Sequence, residues 1–243
     1  MLAVTLPPFR RAALLLDLDG TLLDMAPAPD SVVVPPGLTD ALRTIREQLD
    51  GALAVVTGRS IDVIDALLGD VPYGVAGEHG GAVRAGPGEP IERPEVKAPP
   101  PAWIDRAKAL EAAFPGSILE RKARGFGMHF RQVREAGPAI HRALCELVEG
   151  SADFELMQGQ LLYEVRPRGV DKGHAVTALM RRAPFVGRVP VFIGDDVTDE
   201  DGMRVARSMG GIGLRVQDVF GDAAGVRAWL HDTAAHGDWG ALP

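Results

Sequence analysis

The chain has 243 residues, of which 46% are hydrophobic and 24% are charged, and its formal net charge is -7. These proportions are typical of an ordinary globular protein and exclude disordered and fibrous classes. The acidic balance counts against a nucleic-acid binder and a polybasic membrane anchor, so we expect neither nucleic acid nor a membrane as a partner.

The first half of the sequence predicts alternating strands and helices. An apolar run over 12–18 ends in acidic residues and Gly20, as a buried parallel strand does when it carries polar groups to its carboxyl edge. A helix from Pro35 to about residue 49, a strand over 52–56, a helix over 61–68 and a strand over 73–76 follow. This alternation predicts a doubly wound parallel sheet with helices on both faces.

The alternation stops after Gly77, and a Gly- and Pro-rich stretch over 86–101 predicts a hairpin followed by a linker. The next segments predict a small antiparallel sheet backed by two helices, with helices over 103–114 and 138–149 and strands over 117–122, 126–133, 154–157 and 161–166. From Lys172 the predicted order is a helix to about 182, a strand over 189–193, a helix through 205, a strand over 212–216 and a short helix near Trp229. We therefore predict an α/β core formed by 1–98 and 169–243, interrupted by an inserted α+β domain over 99–168.

Two carboxylates follow the first predicted strand. Asp17 and Asp19 are two residues apart, so on a strand their side chains point the same way. Their mutual repulsion is costly unless a cation lies between them, or unless one attacks an electrophile while the other handles a proton. Nucleophile, acid/base and metal ligand are all open roles for this pair.

A second acidic cluster, Gly-Asp-Asp-Val-Thr-Asp-Glu over 194–200, follows the strand over 189–193. Since carboxyl ends of parallel strands meet at one crevice, this cluster is expected to face Asp17 and Asp19 and to bind a hard cation, for which Mg²⁺ is the best fit. A capped helix start is the alternative interpretation, and Asp199 or Glu200 is expected to have only that role.

Two further segments favour anion binding. Thr57-Gly58-Arg59-Ser60 closes the second strand and opens a helix, which offers a hydroxyl group and backbone N–H groups to a phosphate. Lys172 begins the helix after the insertion and adds a positive charge. Together with the acidic residues these parts predict phosphoryl transfer, in which Asp17 attacks in line and Asp19 protonates the leaving oxygen and then activates water.

These motifs, in this order and spacing, resemble the four motifs of the haloacid dehalogenase superfamily of phosphatases, in the members with a large α/β cap inserted between the second and third motifs. Within that group the chain resembles the trehalose-6-phosphate phosphatases. The segments that carry this second resemblance are 77–80 (GEHG), 119–122 (LERK), 129–131 (HFR), 164–169 (EVRPRG) and 194–201 (GDDVTDED).

The resemblance implies hydrolysis of trehalose 6-phosphate through an aspartyl-phosphate on Asp17, with Asp19 as acid/base. It also implies that Asp17, the carbonyl of Asp19 and Asp195 bind Mg²⁺, supported by Asp196 or Asp199. Thr57, Gly58 and Lys172 would bind phosphate. The expected contacts of the cap with the sugar are Glu120, Lys122, His129 and Glu164.

The residues themselves give weaker support to the sugar contacts. Glu120 and Lys122 share one face of a strand and Glu164 lies on another strand of the insertion, which suits a polyol. A solvated face with cross-strand charge pairs is the alternative, and His129 has a structural alternative as well. His79, between glycines, is expected to shape a loop. Phe130 stands where family members often carry Tyr, which removes one possible hydroxyl contact.

Other functions remain open at this point. A phosphatase for sucrose, mannosyl or glucosyl phosphates shares the same core motifs, and a phosphomutase would use the same aspartates. A receiver-like phosphate-sensing module also pairs acidic residues with a threonine and a lysine, although the long insertion counts against it. The single cysteine, Cys145, rules out an intrachain disulfide, and no apolar stretch has the length of a membrane span, so we expect a cytoplasmic monomer.

Overall fold

The computed structural model describes residues 5–25, 31–122, 124–159 and 161–242. The chain divides into two compact units, a larger one formed by Met1–Arg93 and Asp171–Pro243 and a smaller one formed by Pro94–Val170. The sequence placed these divisions at 98/99 and 168/169.

In chain order the helices and strands are β1 (Ala12–Leu16), α1 (Leu38–Gln48), β2 (Leu53–Val56), α2 (Ile61–Leu68), β3 (Gly74–Gly77), β4 (Ala82–Arg84), α3 (Pro101–Ala113), β5 (Ile118–Arg121), β6 (Phe126–His129), α4 (Gly137–Val148), β7 (Phe154–Gly159), β8 (Leu162–Pro167), α5 (Lys172–Met180), β9 (Val189–Gly194), α6 (Asp199–Ser208), β10 (Ile212–Arg215), α7 (Val216–Val219) and α8 (Ala223–His236).

The described part of the larger unit contains a six-stranded sheet in the order β10-β9-β1-β2-β3-β4. Every residue of β1 and β2 is buried, as expected of central strands that are covered on both faces. Parallel pairing aligns Leu16 of β1 with Val55 of β2 and with Ile193 of β9. The carboxyl ends of these three strands therefore lie at one edge of the sheet, and the α/β fold predicted from the sequence is confirmed.

The outer strand β4 is antiparallel to β3 and was not predicted. It has three residues, too few for a clear alternation of apolar and polar side chains. An isolated antiparallel bridge between Val83 and Glu92 extends this pairing into the Gly-rich stretch. The predicted short helix near Trp229 is α8, which has 14 residues because its buried side chains, Val226, Trp229, Leu230 and Thr233, recur at helical spacing.

The smaller unit has a four-stranded antiparallel sheet in the order β5-β6-β8-β7 among its described residues. Helices α3 and α4 pack on this sheet. Its core includes Phe126, Met128, Ile140, Leu144 and Val165, so the unit has a hydrophobic core of its own. In the described ranges of both units, no helix combines the length and the apolar character needed to cross a membrane.

Candidate active site

Asp17 is the first residue after β1, and only 4% of its surface is exposed. Its backbone N–H donates to the carbonyl of Ile193 at 2.9 Å, which continues the pairing of β1 with β9 past the end of the strand. The register of β1 with β2 and β9 brings Asp17 to the same sheet edge as Thr57 and Asp195. Strand ends therefore position three of the residues singled out in the sequence.

Lys172 is an internal cation at this edge. It is the first residue of α5, whose N-cap Asp171 accepts a hydrogen bond from the His174 N–H at 2.8 Å. Its Nζ lies 2.6 Å from Asp17 Oδ1 and 2.5 Å from Asp199 Oδ1. All three of these charged side chains are buried, so the lysine is a fixed counter-ion and not a solvated surface residue.

Asp199 organises the acidic cluster. While Oδ1 binds Lys172, Oδ2 accepts the backbone N–H groups of Asp195 at 3.1 Å and Asp196 at 2.9 Å. The Asp196 side chain instead accepts the N–H of Val197 at 2.6 Å and is exposed. The sequence left Asp196 and Asp199 as equal candidates for supporting the metal site, with a helix-start role as the alternative for Asp199. The structure brings the Asp199 carboxylate into the cluster.

Three carboxylates fit a hard cation. Asp17, Asp195 and Asp199 each offer an oxygen atom, and these atoms lie within 4.8 Å of one another. Oxygen donors of this kind suit Mg²⁺, which takes one or two carboxylates together with water and substrate oxygens. The side chain of Asp19 is not a member of this group, so the role implied for it in metal binding rests on its backbone carbonyl.

Burial and mutual repulsion shift the acidity of this cluster. Burial, reinforced by the charge of Asp199, raises the pKa of Asp17 well above its ordinary value, although Lys172 opposes the shift. The same two causes raise the pKa of Asp195 to about 6. Burial disfavours the charged form of Lys172, but the carboxylates of Asp17 and Asp199 outweigh it and raise its pKa. The single positive charge of Lys172 leaves two of the three negative charges unbalanced, and a divalent cation would balance them.

The Asp19 carboxylate has a different partner. Arg59 donates from Nε to Asp19 Oδ2 at 2.6 Å and from Nη2 to Oδ1 at 2.8 Å, which is a two-pronged ion pair. Arg59 belongs to the predicted anion-binding turn, but no role was predicted for its side chain. The position of Arg59 directly after Thr57 and Gly58 could have indicated this pairing, because a side chain at a strand end reaches the neighbouring strand ends.

The Thr57–Gly58 turn is packed against the predicted loop residue His79. Thr57 is buried, its carbonyl accepts the N–H of His79 at 3.0 Å, and a Cβ on Gly58 would lie 2.5 Å from the imidazole ring. Glu78 and His79 both have φ of 53°, a left-handed conformation that is uncommon outside glycine. Strain of this kind persists where the surrounding structure fixes it, and it clusters at functional sites.

The smaller unit places the four predicted sugar contacts on one face of its sheet. Glu120 is aligned with Gly127, and Gly127 with Glu164, across β5, β6 and β8. His129 Nε2 lies 2.7 Å from Glu120 Oε2, and this contact lowers the pKa of Glu120. Lys122 Nζ lies 2.8 Å from Glu164 Oε2, and Glu164 is buried. Phe130, by contrast, belongs to the core of the unit, where its ring stacks on that of Tyr163 with 4.8 Å between the ring centroids.

Comparisons with known proteins extend over both units. The family model described as trehalose-phosphatase matches residues 15–227. The trehalose-6-phosphate phosphatase of Escherichia coli K12 is 37% identical over 202 residues, which cover 82% of this chain and 75% of that protein.

Two solved structures show the same fold. The C-terminal domain of the Candida albicans trehalose-6-phosphate phosphatase superposes with a TM-score of 0.76 at 20% identity, covering 93% of each chain. A haloacid dehalogenase-like hydrolase from Bacteroides thetaiotaomicron superposes with a TM-score of 0.59 at 16% identity, covering 80% of this chain and 85% of the other. The core fold is therefore haloacid dehalogenase-like.

Proposed function

The chain belongs to the trehalose-phosphatase family, and on that basis we propose that it hydrolyses trehalose 6-phosphate to trehalose and phosphate through an aspartyl-phosphate intermediate. The observation that carries the proposal is the buried Asp17 at the end of β1, held by Lys172 and grouped with Asp195 and Asp199. A carboxylate held by a fixed cation in a dry site is an oriented nucleophile for phosphorus. The reaction would be a step of trehalose biosynthesis.

The first step transfers the phosphoryl group to the enzyme. An oxygen of Asp17 forms a bond to phosphorus as the bond from phosphorus to the sugar oxygen breaks, and the carboxyl group of Asp19 gives its proton to that leaving oxygen. In the second step Asp19 takes a proton from water, whose oxygen attacks phosphorus and releases Asp17. Asp19 then carries its proton again and the enzyme is restored.

The remaining residues of the larger unit bind the phosphoryl group and the metal. Thr57 and Gly58 would donate to phosphate oxygens, and Lys172 would neutralise part of their charge. Asp17, the carbonyl of Asp19 and Asp195 would hold Mg²⁺, whose positive charge stabilises the phosphate oxygens in the transition state. Asp199 supports this arrangement by orienting Lys172 and the backbone of Asp195 and Asp196.

We assign catalysis to the larger unit and sugar recognition to the smaller unit, as a catalytic core and an inserted cap. The polar face with Glu120, Lys122, His129 and Glu164 presents charged and hydrogen-bonding groups suited to sugar hydroxyls. We further propose that the protein acts in the cytoplasm as a monomer, on a small-molecule substrate and without nucleic acid or membrane.

A substrate panel tests the function. Trehalose 6-phosphate, sucrose 6-phosphate, glucosyl and mannosyl phosphates are each incubated with Mg²⁺, and released phosphate and isomerised sugar phosphate are both measured. We expect the highest kcat/KM for trehalose 6-phosphate, no turnover with Asp17→Asn, and loss of activity with a chelator that Mg²⁺ restores. A preference for another sugar would contradict the substrate, and isomerised product without phosphate would indicate a mutase.

The same panel separates sugar binding from a merely solvated face. Lys122→Met is expected to raise KM for trehalose 6-phosphate by about tenfold or more, since a charged hydrogen bond is worth about 1.5–3 kcal/mol. It should leave hydrolysis of 4-nitrophenyl phosphate unchanged. Lys108→Met is the control, because Lys108 pairs with Asp105 on the surface of the same unit. If Lys122→Met and Lys108→Met have equal KM values for trehalose 6-phosphate, the Lys122–Glu164 pair has a structural role only.

A further inference from the structure

Arg59 and Asp19 form a two-pronged ion pair in the larger unit. Two different guanidinium nitrogens bind two different oxygens of one carboxylate, at 2.6 and 2.8 Å. The Arg59 and Asp19 side chains are 18% and 29% exposed, so water screens this pair only in part. A planar fork on a planar carboxylate fixes the orientation of the carboxylate as well as its position.

The backbone of Arg59 is itself held from two sides. Its N–H donates to Thr57 Oγ1 at 3.3 Å, and its carbonyl accepts the N–H of Glu78 at 2.9 Å. A Cβ on Gly77 would lie 2.6 Å from the same carbonyl, so the neighbouring strand end fits closely against the turn. The left-handed residues Glu78 and His79 follow directly. Arg59 therefore projects from a braced turn and not from a free loop.

We propose that Arg59 is a positioning residue for Asp19. Its guanidinium group sets the plane of the Asp19 carboxyl group and occupies one lone pair on each of its oxygens. The second lone pair of an oxygen is left to hold the proton that passes to the sugar oxygen in the first step and that comes from the attacking water in the second. The inference rests on the proposed function, because it takes Asp19 as the acid/base. Nothing else in the reaction changes: Asp17 forms and breaks the bonds to phosphorus, and Arg59 takes part in no proton transfer.

A competing role for a guanidinium group at this edge is to bind the substrate phosphate. The two roles predict different dependence on the leaving group. A sugar alkoxide needs a proton as it leaves, whereas 4-nitrophenolate is a stable anion and leaves without one. Phosphate binding is the same for both substrates, so only a defect that acts through Asp19 discriminates between them.

The experiment compares kcat/KM for trehalose 6-phosphate and for 4-nitrophenyl phosphate in the 243-residue chain with Mg²⁺. Arg59→Met is expected to lower kcat/KM about 10²-fold for the sugar phosphate, the size of effect that a displaced catalytic group produces. For the aryl phosphate we expect a loss of less than roughly fivefold. Arg59→Lys keeps the charge without the fork, and we expect about a tenfold loss for the sugar phosphate alone.

A double variant adds a second readout. If Arg59 acts through Asp19, then Asp19→Asn combined with Arg59→Met should be no slower than Asp19→Asn alone, within about threefold, because coupled residues are not additive. Arg84→Met is the matched control. Arg84 also forms a two-pronged pair, from Nη1 and Nη2 to the two oxygens of Asp65 at 2.7 and 2.6 Å, and its side chain is also 18% exposed. We expect it to keep the wild-type kcat/KM for both substrates.

Equal losses for the two substrates, or losses that multiply in the double variant, would overturn the inference. Circular dichroism checks folding, and if Arg59→Met does not fold, Arg59→Lys provides the same comparison. The proposed function fails separately, when the wild-type chain releases no phosphate from trehalose 6-phosphate. The inference about Arg59 fails when the wild-type chain is active and its variants show no dependence on the leaving group.

Discussion

Gly20 shows how tightly single residues are constrained at the sheet edge that carries Asp17 and Asp195. Its φ is +83°, and a Cβ there would lie 2.2 Å from Asp195 Oδ2. Two requirements therefore coincide at this position, a left-handed backbone and free space for a carboxylate. Any residue other than glycine would pay conformational energy for the left-handed backbone. The need for free space, by contrast, comes from the Asp195 carboxylate alone.

Substituting Gly20 separates these two requirements. Gly221 is the matched control, because its φ is +81° and a Cβ there would have nothing within 4 Å. We expect Gly20→Ala and Gly221→Ala each to lose about 1–2 kcal/mol of stability from the left-handed conformation. Only Gly20→Ala should lose Mg²⁺-dependent activity and affinity for Mg²⁺, as measured by initial rates at several Mg²⁺ concentrations. Unchanged activity in Gly20→Ala would show that Asp195 relaxes without consequence.

At this scale the sequence predicted which residues lie together better than it predicted their partners. The structure places Asp17, Thr57, Lys172 and Asp195 at one edge of the sheet, and the sequence could predict this because strand ends and acidic motifs are local signals. The Arg59–Asp19 pair and the part played by Asp199 were not found, because a side chain's partner depends on packing between segments 40 and 27 residues apart in the chain. No periodicity in one sequence encodes that choice.

The first turn of helix α5 holds Lys172 beside Asp17. The N-cap Asp171 accepts the N–H of His174 at 2.8 Å, and the next residue is Lys172. Helix α8 begins with the same device, where Asp222 accepts the N–H of Gly225 at 2.9 Å. The two caps are chemically equivalent, but only one of them is adjacent to a residue assigned to catalysis.

Removing each N-cap in turn distinguishes its effect on the stability of the fold from its effect on the position of Lys172. Asp171→Ala and Asp222→Ala should each cost about 1 kcal/mol of stability, the usual value of a helix N-cap. We expect Asp171→Ala also to lower kcat for trehalose 6-phosphate by about tenfold or more, because a loosened first turn displaces Lys172 from Asp17. Urea unfolding and steady-state kinetics measure the two effects. Similar kcat values in both variants would mean that packing alone fixes Lys172.

Among the elements, long buried segments were predicted well and short or polar ones less well. Strand β1 ends at Leu16, two residues before the predicted end. Asp17 still donates its N–H to Ile193, but the Leu18 carbonyl accepts the N–H of Leu22 and so belongs to the turn at Gly20. Strand β4 was missed because three residues carry no measurable period. Helix α8 was predicted too short, although its N-cap Asp222 and its buried side chains at helical spacing are both local signals in the sequence.

Across the whole molecule, the acidic cluster links folding to pH and to the metal. Burial and the neighbouring Asp199 raise the pKa of Asp195 from 3.8 to about 6 in the folded chain. Between these two values the metal-free folded chain binds more protons at this site than the unfolded chain does. The contribution of Asp195 to stability is therefore greatest below pH 3.8 and is lost as the pH rises through about 6.

Thermal unfolding of the chelated protein tests this linkage. We expect Asp195→Asn to have a higher Tm than the wild type at pH 7 without metal, and the difference to disappear toward pH 4. Mg²⁺ at a thousand times Kd should reverse the order, because binding to the folded state alone then stabilises the wild type by about 4.1 kcal/mol. Equal Tm values at every pH, with and without Mg²⁺, would place Asp195 outside the metal site.

At the scale of the whole chain, the order of segments in the sequence indicated both fold classes. Two changes of rhythm, near Gly77 and near Lys172, separated a parallel α/β pattern from an antiparallel one. The positions where the compact units divide, at 93/94 and 170/171, differ by a few residues from the sequence estimate. Linkers rich in Gly and Pro lack a period, so the sequence gives no sharp limit within them.

The placement of Pro94–Val170 as one uninterrupted segment has a consequence for how such a protein diversifies. All residues assigned to bond breaking are encoded on either side of it, and all residues assigned to the sugar are encoded within it. Exchange of this one stretch of the gene would therefore replace the residues assigned to the sugar, while the residues assigned to bond breaking are inherited unchanged.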